Sequence, residues 1–139
     1  MKKFGFYCVL LSLFFISCID KNLPDVDGMW QLKTIEDETG NTQVVDTIYY
    51  SFESQQLFSF TQLNGGFMQY KSAFIMYGYV DFPAKDRMHI WLDTAHVGLF
   101  EYLPWSSLEN TTYIIQKLTS KEMILKNEDE GNIYRFIKF

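Results

Sequence analysis

Cysteine is almost missing from this chain. It has two among 139 residues, Cys8 and Cys18, both near the start. Without a pair in the remainder no disulfide framework can form there, so any fold must hold by its core. Histidine is as scarce, with His89 and His96 alone. Asp93 lies between them, which makes a His-Asp-His metal site conceivable. Seven residues across a strand–loop junction is poor coordinating spacing, so no metal or other cofactor is expected. Basic residues are outnumbered 12 to 17, for a formal charge of −5. A nucleic-acid partner needs a concentrated Lys/Arg face, and none is present. Phosphate-binding loops and the Gly-x-Ser-x-Gly elbow are absent, and Gly65-Gly66 reads as a bare hairpin turn. The chain is expected to be no enzyme. The apolar run at 4–16 has 13 residues, about 20 Å as a helix against a ~30 Å hydrocarbon core, too short for a transmembrane anchor.

Apolar and aromatic residues are what the chain does have, at 47% and 18%. That is enough for one real core, and the length fits a single domain. Lys2 and Lys3 ahead of the apolar run have the pattern of a secretory signal peptide. Its end, Phe15-Ile16-Ser17-Cys18, resembles the bacterial lipobox, with Phe15 where Leu is usual. The resemblance implies cleavage after residue 17 and lipid attachment, palmitate included, at Cys18. The remaining 122 residues lose two lysines, and the formal charge moves from −5 to −7. Residues 18–27, polar and acidic with Pro24, then form a lipidated tether. Residues 28–139 form the domain. An acidic stretch behind the lipid cysteine resembles surface-export signals of some Gram-negative lipoproteins. The expected location is the bacterial outer membrane, lipid-anchored, on its periplasmic or exposed face.

From Gly28 onward period-two patterns dominate. Trp30, Leu32 and Thr34 share one face of the first strand. Ile48, Tyr50 and Phe52 align on the next, and Phe58 and Phe60 on the third. Asn64-Gly65-Gly66 is a hairpin signal. The run from Phe67 to Phe82 follows, with 73–80 apolar on both faces and Gly78 as a bend or bulge. Further strands are expected over 87–92, 112–118, 122–126 and 133–139. About eight strands joined by short turns indicate an all-β, up-and-down barrel, whose closure removes exposed edges. The segment 93–110 interrupts the rhythm, and 97–105 can form one short helix ahead of Pro104.

Gly28-Met29-Trp30 resembles the Gly-x-Trp signature of the lipocalin superfamily. That resemblance implies an eight-stranded barrel around a small apolar ligand. It also implies an Arg on the last strand packed across the Trp, and Arg135 is the matching position. A guanidinium on an indole face gains cation–π energy and covers apolar surface. The short mature chain looks most like the compact lipocalin-like lipoproteins of Gram-negative bacteria. Tyr50, Phe58, Phe60, Tyr70 and Phe74 are the candidate cavity lining; the alternative is that these rings fill a small barrel completely. Phe100, Tyr102 and Trp105 form, with Leu103 and Pro104, either a lid over the open end or a surface for an envelope-protein partner. The membrane is reached through the N-terminal lipid. Thr47 and Thr94 lie in sequences resembling an O-glycosylation pattern of exported proteins.

Overall fold

The computed structural model describes residues 22–63, 73–93, 95, 103–104 and 110–139. Cys18, Tyr70, Thr94, His96, Phe100, Tyr102 and Trp105 lie outside the described residues. So does most of the helix-capable 97–105 segment, and Phe74 is described only in its backbone.

Among the described residues nine strands follow one another: β1 Gly28–Glu36, β2 Thr42–Val44, β3 Ile48–Glu53, β4 Leu57–Gln62, β5 Phe74–Ala84, β6 Arg87–Leu92, β7 Asn110–Leu118, β8 Glu122–Asn127 and β9 Ile133–Lys138. β1 pairs with β3, each of β3 to β8 pairs with the next, and β9 returns to β1. The ladders are antiparallel throughout. Eight strands therefore close an all-β barrel, and closure satisfies the backbone groups that open edges would leave unpaired. The ninth, β2, is a short strip beside the upper half of β1, at Thr34 to Glu36, above the stretch where β1 meets β3.

A bulge explains both β2 and a departure from strict alternation. Leu32 faces Phe136, yet Thr34 faces Arg135, so Lys33 is the extra residue. An inserted residue flips the faces beyond it. Trp30, Leu32 and Ile35 pack on the core. Thr34, read from the sequence as sharing their face, is turned outward opposite Val44. The Lys33 carbonyl accepts the Val45 amide at 2.8 Å, which pins the kink between β2 and β3.

Elsewhere the alternation holds. Tyr50, Phe58, Phe60, Met76, Met88, Ile90, Tyr113, Tyr134 and Phe136 are buried inside. Gly78 is needed because two backbones meet: a Cβ there would lie 2.2 Å from the Trp91 carbonyl oxygen. The register shift on β5 comes later, between Asp81 and Ala84.

Strand direction sorts the connections. The N-terminal segment, the turns at 53–57, 84–87 and 118–122, and the C-terminus share one end. The strand ends at Glu36, Ile48, Gln62, Phe74, Leu92, Asn110, Asn127 and Ile133 share the other, called here the mouth. At the mouth, Asp37 organises the turn after β1 by accepting from the amides of Thr39 and Asn41, both at 2.9 Å. Hydrogen bonds from the Thr39 and Asn41 side chains hold its carboxyl down at about 2.

Candidate functional site

The closed end is built on Trp30, which is fully buried. Its Nε1 donates to the Val26 carbonyl at 2.7 Å, so the chain before β1 folds under the barrel. The closing cation is Lys138 and not Arg135. Lys138 Nζ lies 4.4 Å from the centre of the Trp30 ring and also donates to the Asp27 carbonyl. Register decides this, since Trp30 stands opposite Lys138. Arg135 is three residues further along β9, about 10 Å away at ~3.4 Å per residue, and on the other face. There its Nη2 donates to Glu36 Oε2 at 2.7 Å. Gly28 fits the arrangement through its φ of +113°, a conformation that side-chain-bearing residues avoid. Asp27 Oδ1 accepts the Gln55 amide at 2.9 Å and ties in the β3–β4 turn.

Above Trp30 the interior is a cluster of rings. Tyr50 packs edge-on against Phe58 at 5.2 Å between centroids and lies 4.8 Å from Phe136. Tyr113 and Tyr134 meet edge-to-face at 5.5 Å. Such pairs contribute about 0.5–1.5 kcal/mol each beyond area burial. The sequence-predicted lining residues Tyr50, Phe58 and Phe60 thus stand together on the inner wall and contact one another. The hydroxyls of Tyr50 and Tyr113 are 3.3 Å apart. Burial pushes the hydroxyls of Tyr50, Tyr113 and Tyr134 well above their ordinary range, so all three act as neutral hydrogen-bonding groups.

Polar groups enter the inner wall at the mouth. Asn127 is buried, accepts the amides of Asp129 and Glu130, and donates to Thr111 Oγ1 at 3.1 Å. Leu103 is buried in the core, and the Tyr134 hydroxyl donates to the Pro104 carbonyl at 2.7 Å. Leu103 and Pro104 are thus tied to the barrel, and the rest of the 97–108 segment lies outside the described residues. Gln62 was not singled out from the sequence. The signal was there, because it continues the inward row of Phe58 and Phe60 by two residues. It is 2% exposed, and neither its Oε1 nor its Nε2 has a hydrogen-bond partner. The remaining buried orphan among the described residues is Thr34 Oγ1, on the outward side of β1. Gln62 and the 43–48 segment line an open pocket of about 250 Å³ at the rim.

The outer wall carries a second depression, of 540 Å³, across β1, β3, β4 and β5. Ser51 and Ser59 pair at its centre, with Met29 and Tyr77 as their outer neighbours. Leu57 and Tyr79 border it, and Met29, Leu57, Tyr77 and Tyr79 are all exposed. The two-faced apolar character of 73–80 is thus real: Met76 and Val80 go inside, Tyr77 and Tyr79 outside. Beyond Tyr79 stand Trp91, at 5.7 Å between centroids, and then His89, at 5.1 Å from Trp91. His89 Nδ1 is 3.5 Å from Asp81 Oδ1, and Asp93 accepts the Ala95 amide at 2.9 Å.

Comparison with known proteins agrees with this architecture. A family model described as a lipocalin-like domain matches residues 11–139. No curated protein matches the chain. Among solved structures, an uncharacterized protein from Bacteroides eggerthii DSM 20697 is 28% identical. The likeness covers 83% of this chain and all of that one, with a TM-score of 0.70. A lipocalin-like protein from Bacteroides uniformis ATCC 8492 is 24% identical over 83% of this chain and 99% of that one, also at 0.70, and is a likeness of fold.

Proposed function

The chain belongs to the lipocalin-like domain family, and on that premise we propose that it is a lipid-anchored, non-enzymatic binder of a small apolar ligand at the bacterial outer membrane. The observation that carries the reading is the construction of the mouth. Leu103 is packed into the core there, and one hydrogen bond, Tyr134 to Pro104, holds that segment at the described residues. Below it the described wall is largely aromatic, its tyrosine hydroxyls neutral, and Asn127, Thr111 and Gln62 stand nearer the rim. Such a wall suits a mostly apolar molecule with a polar end directed outward.

Binding is tested with the fluorescent apolar probe N-phenyl-1-naphthylamine, titrated into the protein purified under delipidating conditions. Saturable binding of one probe per barrel is expected, weakened by Met76→Trp, which fills the inner wall. Absence of saturable binding, or binding indifferent to that change, would overturn the proposal. Anchoring is tested by metabolic labelling with palmitate, which Cys18→Ala should abolish.

The outer depression favours a second reading, an envelope-protein partner recognised by the wall around Tyr77 and Tyr79. Tyr77→Ser with Tyr79→Ser should then abolish crosslinking to that partner in cells and leave probe binding intact.

A further inference from the structure

We infer that Gln62 is the recognition point for a ligand head group that presents a hydrogen-bond donor and acceptor side by side, a primary amide or a protonated carboxylic acid. The inference rests on the barrel being a binder of small apolar molecules and specifies the polar end of what it holds.

The argument begins with an imbalance. Gln62 lies on the inner face of β4, between Ile48 on β3 and Phe74 on β5. It is the last inward residue of a row that begins with Phe58 and Phe60. A side-chain amide has one acceptor oxygen and two N–H donors. Buried polar groups are nearly always paired, because losing water without gaining a partner is unfavourable, and an exception calls for a cause. Gln62 is such an exception at both ends of its amide. A leucine or methionine there would satisfy the packing without that penalty. The other buried polar side chains at this end do not share the problem, since Asn127 and Thr111 bond each other.

The surroundings say what can approach. The pocket of 250 Å³ beside Gln62 is formed by the 43–48 segment. Among the described residues lining it, Val44, Val45 and Ile48 supply apolar surface and Asp46 is the sole ionisable group. Its backbone carbonyl is already used by Gln31 Nε2, at 2.7 Å. No cation faces Gln62 from this segment to pair with an anionic head. An amide or a protonated acid is neutral and matches the Gln62 edge in two reciprocal hydrogen bonds. An ester or ether offers acceptors only and would leave the Gln62 carbonyl unpaired.

The test compares decanamide, methyl decanoate and decanoic acid, titrated by calorimetry into the full domain and into Gln62→Leu and Gln62→Met. Wild type should bind decanamide at least about tenfold more tightly than methyl decanoate. Decanoic acid should approach decanamide at pH 4.5 and fall to the ester's level at pH 7.5; equally tight binding at pH 7.5 would show an anionic head accepted and overturn the inference. Both variants should bind amide and ester alike, and Gln62→Leu should melt a few degrees higher than wild type. Equal binding of amide and ester by wild type, or a preference surviving in Gln62→Leu, overturns the inference while leaving apolar binding in place. A lowered melting temperature in both variants also overturns it, because it would show the amide already satisfied. Failure of all three probes to bind wild type would instead sink the binding function itself.

Discussion

The two ends of the barrel are built on opposite rules. At the closed end the polar groups around Trp30 are paired: its indole N–H with Val26, Lys138 with the ring and with Asp27, and Asp27 with Gln55. At the mouth a buried amide has no partner, and the described part of the 97–108 segment is held by one side-chain hydrogen bond. Complete pairing makes an end rigid, whereas unpaired groups and few attachments keep free energy in reserve for a binding partner. The closed end is therefore expected to carry stability and the mouth to carry function.

The sharpest way to break that contrast is Trp30→Ala, expected to cost about 3–5 kcal/mol through loss of a large buried ring, as measured by urea denaturation. A cost below about 1 kcal/mol would show that the closed end is not the anchor. Alkaline pH probes the interior between the ends. The folded hydroxyls of Tyr50, Tyr113 and Tyr134 ionise above the unfolded value of about 10, so stability is complete below pH 10 and falls as the pH rises past it. The slope should reach about 1.4 kcal/mol per pH unit for each tyrosine and should flatten in Tyr113→Phe.

Next in size, Tyr134→Phe should cost about 1–2 kcal/mol in stability while accelerating probe exchange, because it releases Pro104. Stopped-flow release of N-phenyl-1-naphthylamine reads this directly, and an unchanged rate would remove the mouth from the binding pathway. Lys138→Met should cost about 1 kcal/mol and Arg135→Met only a few tenths, since the Arg135–Glu36 pair is half exposed. The reverse order would return the closing role to Arg135. The smallest effect is at the β3–β4 turn, where Ser54 and Gln55 both have positive φ. Gln55→Gly should stabilise by about 0.5 kcal/mol in thermal unfolding, and a loss would show that the side chain repays its strain.

Much of this architecture could be read in the residues beforehand. Alternation marked the inner rows of β3 and β4, because a pleated strand puts every second side chain on one face. Gly28 and Trp30 marked the closed end through the resemblance of Gly28-Met29-Trp30 to the lipocalin signature. The alternation failed at Thr34, where one extra residue reversed the faces. No local pattern announces a bulge, because it is produced by mismatch with the partner strand. The pairing of Trp30 with Lys138 escaped for a related reason: register between the first and last strands is decided only when the barrel closes.

The sequence by itself determined an all-β chain with too much apolar and aromatic surface for one side of a small sheet, and no disulfide in the domain to hold it. Composition and periodicity are local properties, and they survive any arrangement of the strands. Only the tertiary structure divided that surplus between a ring-lined interior and an exposed strip around Tyr77 and Tyr79. Only closure turned Gln62 from one more polar residue at a strand end into a buried amide without a partner, since burial and pairing depend on which neighbours the fold brings around it.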